Sequence, residues 1–181
     1  MRIIGFDPGI TKTGWSVIES IDKNIDSVVM SKSYDIKYSR KTTIVSHGVV
    51  KTKSNDFMQI RLAHIYQAVE EILQKHKPDL ICVEITIVNI NPKTSLKLAE
   101  ARGVIIAACG KLNIPLIQIP PSVIKKTISG HGHCDKISLG KYIEKRVSNF
   151  PDKIGKDEID ALCCAYVGYS QRQAGLLEEK Q

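Results

Sequence analysis

Long apolar runs are missing from this chain. The longest uncharged apolar stretch, Val104 to Cys109, falls far short of the ~18 residues a membrane span needs, and Asp7 interrupts the N-terminus before a signal-like core can form. Its five cysteines (Cys82, Cys109, Cys134, Cys163, Cys164) include no CxxC pair and sit mostly in apolar strand or helix contexts. That pattern predicts reduced thiols rather than a disulfide framework, and so a cytosolic setting. Internal repeats, low-complexity tracts and linker-like segments are also lacking, so the 181 residues are expected to form one domain. Acidic residues are scarce: 19 against 26 Lys and Arg, for a net charge of +7. A polyanionic partner suits that balance.

Against this scarcity, four acids stand in conspicuous places. Asp7 closes the apolar run Arg2-Ile3-Ile4-Gly5-Phe6, and Glu84 closes Leu80-Ile81-Cys82-Val83. Both runs read as strands buried on two faces. A carboxylate there costs several kcal/mol unless it has a cation, a set of donors, or a place at the open end of its strand. Asp157 and Asp160 lie in the helical stretch Lys156-Asp157-Glu158-Ile159-Asp160-Ala161-Leu162, where i, i+3 spacing puts both on one edge. Asp157 and Glu158 would equally suit a helix N-terminus, with Asp160 on a solvated face. A shared hard cation accounts for all four acids together. Magnesium favours carboxylate oxygens and retains water, and phosphodiester hydrolysis by two ions ~3.5–4 Å apart needs such a ligand set.

Along the chain, a strand through Asp7 turns at Pro8-Gly9 into a second strand, Gly14 to Glu19, forming a hairpin. Residues 20–42 are polar and extend the hairpin or form a mobile loop. A third strand is predicted over Thr43 to Lys51, then a helix from Asn55 to Lys77 with an apolar stripe at Met58, Leu62, Ile65, Val69, Ile72 and Leu73, ended by Pro78. The Glu84 strand follows, then a helix from Thr94 to Leu112, a strand from Pro115 to Ile119, and a short helix opened by Pro120-Pro121-Ser122. Helices from Asp135 to Val147 and from Asp157 onward complete the order, with residues 170–181 as a polar tail. Strands first and alternating βα units afterwards imply a mixed α/β sheet with helices on its faces.

This order resembles the RNase H-like nuclease fold, with a mixed five-stranded sheet flanked by helices on both faces. More closely, Gly5-Phe6-Asp7-Pro8-Gly9, Val83-Glu84, Ser95 through Gly103, Lys125-Lys126-Thr127-Ile128-Ser129-Gly130 with Lys136, and Asp157 through Leu162 resemble successive motifs of the RuvC family, the bacterial Holliday junction resolvases. The resemblance implies a homodimeric, magnesium-dependent endonuclease that cuts opposed strands of a four-way DNA junction in recombination and repair, in the cytoplasm and at the nucleoid, alongside the branch-migration proteins RuvA and RuvB. It implies two Mg²⁺ per subunit, with Mn²⁺ as a substitute. The ligands would be Asp7, Glu84, Asp157 and Asp160, with Asp7 bridging and Lys125 and Lys136 near the scissile phosphate. DNA contacts are expected from Ile87, Lys93, Lys97, Arg102, Lys125, Lys126, His131 and Lys136. Ser95 is a further phosphate contact by residue type, although Leu96, Leu98, Val104 and Ile105 mark its helix as mainly a packing element. The resemblance places that helix at the dimer interface.

Ile87 stands where relatives carry an aromatic residue, which bears on junction distortion and sequence preference rather than on cleavage. His131-Gly132-His133-Cys134 has metal-binding residue types, but adjacent residues wrap a tetrahedral ion poorly, and a DNA-contacting loop suits it better. Two other classes remain. Asp7-Pro8-Gly9-Ile10-Thr11-Lys12-Thr13-Gly14 also resembles the first phosphate loop of actin and sugar-kinase ATPases, which use two domains and a second phosphate loop. A non-catalytic junction-binding protein would have no reason to gather four acids.

Overall fold

In the computed structural model, residues 1–20, 42–85, 92–130 and 134–176 are described. The 20–42 segment (except its end residues), Ile87 and His131 therefore lie outside the described residues. The elements run β1 (Arg2–Asp7), β2 (Lys12–Ser20), β3 (Thr42–Lys51), α1 (Met58–His76), β4 (Leu80–Glu84), α2 (Pro92–Lys111), β5 (Leu116–Ile119), α3 (Pro121–Ser129), α4 (Lys136–Glu144), β6 (Val147–Ser148) and α5 (Lys156–Gln173). Five strands match the expected sheet, and a two-residue sixth extends its edge, in the order β5-β4-β1-β2-β3-β6. β1 pairs antiparallel with β2 and parallel with β4, which makes it the centre of the sheet.

Alternation along each strand divides the core in two. Ile4, Phe6, Val17, Ile81 and Val83 point to the face covered by α1 and α2, packing on Ile65, Val69, Leu73, Ala101 and Ile105. Ile3, Ile18, Leu80, Cys82 and Ile119 point the other way, against Ile124, Ile128, Leu139, Ile143 and the α5 residues Leu162 to Ala165. By the same alternation Asp7 and Glu84 belong to the α5 face.

Helix α5 lies on the sheet with almost nothing between backbones. A Cβ on Gly5 would fall on the Ala161 carbonyl oxygen, one on Gly14 on the Asp157 carbonyl oxygen, and one on Gly168 on the Cys82 sulfur. These three contacts carry the helix across β2, β1 and β4 in turn. The helix continues through Gln173, into the polar stretch from residue 170 onward. The α4 helix ends at Glu144, short of the expected Val147, because the chain there has other partners. Buried Arg146 donates from Nε (3.2 Å) and an Nη (2.8 Å) to the Ile128 carbonyl, Val147 joins the sheet beside Thr42, and Asn149 takes a left-handed φ of 56°.

Candidate active site

Strand register sets the two strand acids side by side, and the start of α5 lies across the same sheet face. Ile3 pairs with Leu80, Gly5 with Cys82 and Phe6 with Val83, so the next step along the parallel pair sets Asp7 beside Glu84. Across the antiparallel pair, Asp7 stands opposite Gly14, and Gly14 supports the backbone of Asp157. Asp160, one turn further along α5, is only 8% exposed, which removes the solvated-face reading. Glu84 and Asp160 line one small pocket with Lys125, Cys134, Pro121, Ile124 and Leu139. The buried thiols behind the site sense the same charges. Cys164 is pushed up first by burial and further by Cys82, Glu84 and Asp7, and Cys163 by burial and then by Asp160 and Glu84.

Several polar contacts that periodicity does not reveal hold this arrangement. The Glu158 carboxylate accepts from the Gly155 N–H (2.7 Å) and meets His47 Nδ1 at 2.5 Å, while Ser16 Oγ donates to the Glu158 carbonyl (2.7 Å). Together they fasten the start of α5 to β2 and β3. The turn after Asp7 is clamped as well. Thr13, fully buried, donates to the Gly9 carbonyl at 2.8 Å. Buried Arg61 donates to Thr52 Oγ1 (2.9 Å), Thr11 Oγ1 (2.9 Å) and the Ile10 carbonyl (3.1 Å). Only its phase with Ile65, Val69 and Leu73 on α1 could have marked Arg61 as an inward residue.

The expected basic contacts separate into groups. Lys125 is half-buried in the Glu84–Asp160 pocket, and Lys126 beside it is exposed. Lys93 and Lys97 are exposed in the first two turns of α2, at the same end of the sheet as the acids, and Lys136 opens α4. Arg102 is half-buried, with its Nε enclosed and no hydrogen-bond partner for that atom. Ser95, by contrast, is buried in α2 and so is not displayed to a phosphate.

Among the described residues, no three His, Cys, Asp or Glu side chains form a group able to hold an ion by themselves. The donor set is one of carboxylates, two at strand ends and two in the first turns of α5. It fits a hard cation that keeps several waters, takes one or two protein carboxylates, and completes its shell with substrate phosphate. It does not fit a closed structural site of the zinc kind.

Residues 33–167 match the family model for "Crossover junction endodeoxyribonuclease RuvC". The chain belongs to that family. It is 32% identical over 166 residues to the Rickettsia rickettsii crossover junction endodeoxyribonuclease RuvC, covering 92% of this chain and 95% of the relative. The Rickettsia akari protein is 30% identical over 172 residues, covering 95% and 99%. Thermus thermophilus RuvC superposes with a TM-score of 0.81 at 23% identity over 97% of both chains. The same Thermus protein in complex with a Holliday junction substrate gives 0.80 at 23% identity, over 97% of this chain and 96% of that one. The fold is therefore the RNase H-like fold of RuvC, and the chain is a nuclease of that family.

Proposed function

We propose that this chain resolves four-way DNA junctions by paired, magnesium-dependent hydrolysis of opposed phosphodiesters. The observation that supports it best is the register that puts Asp7 and Glu84 at one level on one face, directly under the acidic start of α5. Two Mg²⁺ ions bound there, with Mn²⁺ as a substitute, would supply Lewis-acid charge and an acidified water. Asp7 and Glu84 would hold them from the sheet and Asp157 and Asp160 from the helix, all four acting from backbone that is already fixed. Such preorganisation spares the site any rearrangement when charge develops on the phosphate. Lys125, in the wall shared with Glu84 and Asp160, would donate to a phosphate oxygen, and Lys136 would do the same from the start of α4. Lys93, Lys97 and Lys126 would hold the strand by its phosphates, which positions it without reading sequence.

A junction presents two equivalent strands about a two-fold axis, so a symmetric homodimer delivers paired cuts geometrically. Helix α2 would supply the interface, with Leu96 64% exposed on it. RuvA and RuvB are the expected partners by family resemblance, and the cytoplasm, at the nucleoid, the expected place of work. Among the described residues no helix is long and apolar enough to cross a membrane.

The test is incubation of the protein with Mg²⁺ and a synthetic four-way junction. Symmetric nicks on opposed strands are expected. Asp7→Asn, Glu84→Gln and Asp160→Asn should each lower the rate by at least about 10³-fold, since ligands that act as a unit are not additive. Junction binding by the Asp7→Asn variant should persist or tighten, because a negative charge facing phosphate has been removed. Undiminished cutting by these variants would refute the assignment of the acids.

A further inference from the structure

Beside the acids, α4 and the start of α5 diverge around a cavity of about 320 Å³. Its walls are Ile137, Gly140, Lys141 and Glu144 on α4 against Phe150, Lys156, Ile159 and Asp160. The α4 residues recur at i, i+3, i+4 and i+7 and so form one stripe. That stripe is distinct from the Leu139 and Ile143 side of the helix, which is buried in the core. Ile137 is 72% exposed at the mouth, and the Phe150 side chain lines the wall opposite α4. The volume falls in the range of small-ligand sites, and an apolar floor with a few polar groups at its edge is their usual make-up.

We infer that this cavity is a slot for one nucleobase of the strand being cut. The inference rests on the nuclease reading and deepens it. Asp160 belongs to both enclosures, lining this cavity and the pocket it shares with Glu84 and Lys125. Because Asp160 lines both, a strand whose phosphate lay at the acids would bring a neighbouring nucleotide to the slot. The slot's chemistry suits a base joined to phosphate: Phe150, Ile137 and Ile159 offer flat and branched apolar surface, while exposed Lys141 and Lys156 stand at the rim. Glu144, also at the rim, would repel a phosphate, so the backbone enters from the lysine side. Stacking on an aromatic ring serves any base, whereas a bounded slot also selects by size and edge. The slot thus supplies a base preference at a position flanking the cut.

Gly140 provides a clean probe. A Cβ there meets only Ile159, at 3.6 and 3.9 Å, and Gly140 lines the cavity, so Gly140→Leu adds bulk at its wall with no backbone clash at Cβ. Ile137→Ser removes apolar surface from an exposed position. The experiment is single-turnover cleavage of synthetic junctions in which each nucleotide around the cut is made abasic in turn. With wild type, one abasic position should slow cleavage about tenfold. Gly140→Leu and Ile137→Ser should slow the intact junction to a similar degree and no longer respond to that abasic site. Junction affinity in Ca²⁺ should change less than about threefold, because phosphate contacts supply most of it. An abasic profile identical in wild type and both variants would overturn the slot. So would an unchanged profile accompanied by altered sedimentation of Gly140→Leu, which would make the occupant a second copy of the chain. Wild-type protein that cuts no intact junction would instead overturn the nuclease reading, and the slot with it.

Discussion

Gly14 lies directly beneath the backbone of Asp157, so close that a Cβ on the glycine would stand 2.0 Å from the aspartate's carbonyl oxygen. Because Gly14 is also the cross-strand partner of Asp7, this one contact fixes how far the helix acids stand from the strand acids. Gly14→Ala should therefore lift the start of α5. We expect a loss of stability of about 1–3 kcal/mol from overpacking and a fall in cleavage of ~10²-fold from misplacement of the acids. Thermal melts and single-turnover rates measure the two effects. Unchanged cleavage in a folded variant would show that Asp157 does not depend on this contact.

Arg61 predicts a different signature. Its guanidinium sits buried behind the Asp7 turn, held by two threonine hydroxyls and a carbonyl. Arg61→Ala should cost about 2–4 kcal/mol by leaving these partners unsatisfied. The cleavage rate should drop while junction affinity holds, since Arg61 lies under the turn rather than on its surface. Arg61→Lys should recover only part of the stability, because an ammonium cannot reproduce the planar fork. Full recovery with lysine would mean that charge alone matters there.

His76, at the end of α1, gives a pH dependence. Burial first, and then the charges of Lys75 and Arg2, hold its imidazole below the ordinary value. The folded state therefore binds a proton less readily than the unfolded chain, and stability is undiminished above the unfolded pKa of about 6.5. It should fall as pH drops below that value, levelling off once the folded-state pKa is passed. The His76→Phe variant, packed against Trp15 as the histidine ring now is at 5.6 Å, should lose that part of the decline. Melting temperatures of the two proteins between pH 8 and pH 5 (roughly the histidine window) make the comparison; parallel curves would absolve His76.

The thiols should divide sharply. Cys82, Cys109, Cys163 and Cys164 are buried, and burial pushes the Cys109 thiol up to about 12 and the other three upward as well. Cys134 is partly exposed and lines the pocket of Glu84, Lys125 and Asp160. In the folded protein, alkylation should therefore modify Cys134 first, as thiolate access governs the rate. A bulky adduct there should stop cleavage, while Cys134→Ser should remain active and resist the reagent. Mass spectrometry with a parallel cleavage assay reads both results; early labelling of Cys163 would point to an opened core.

What the sequence disclosed and what it withheld follow from the range of the interactions involved. Asp7 and Glu84 were visible because each interrupts an apolar run, and Asp157 with Asp160 because a helical period puts them on one edge. The contacts that seat them are different in kind. His47 and Glu158 are 111 positions apart, Arg61 and Thr11 are 50 apart, and neither pair leaves a local pattern. Helix α4 stops short of the expected Val147, although Ile143 and Val147 keep helical phase, because Arg146 finds a carbonyl on α3 and Val147 a strand partner. Strand β6, two residues long, is too short for any periodic signal. Ser95, polar and therefore a candidate for phosphate, lies at a buried position that its neighbours Leu96 and Leu98 did not reveal.

The seating of α5 also orders events at the ribosome. Every strand among the described residues precedes this helix in the chain, so Asp7 and Glu84 emerge long before Asp157 and Asp160. A chain grown only as far as β6 would carry the strands of the described sheet but two of the four proposed site acids. On the proposed assignment, cutting ability is withheld during synthesis until α5 docks against Gly14, Gly5 and the Cys82 sulfur, so this late-made helix would be the one that arms the nuclease.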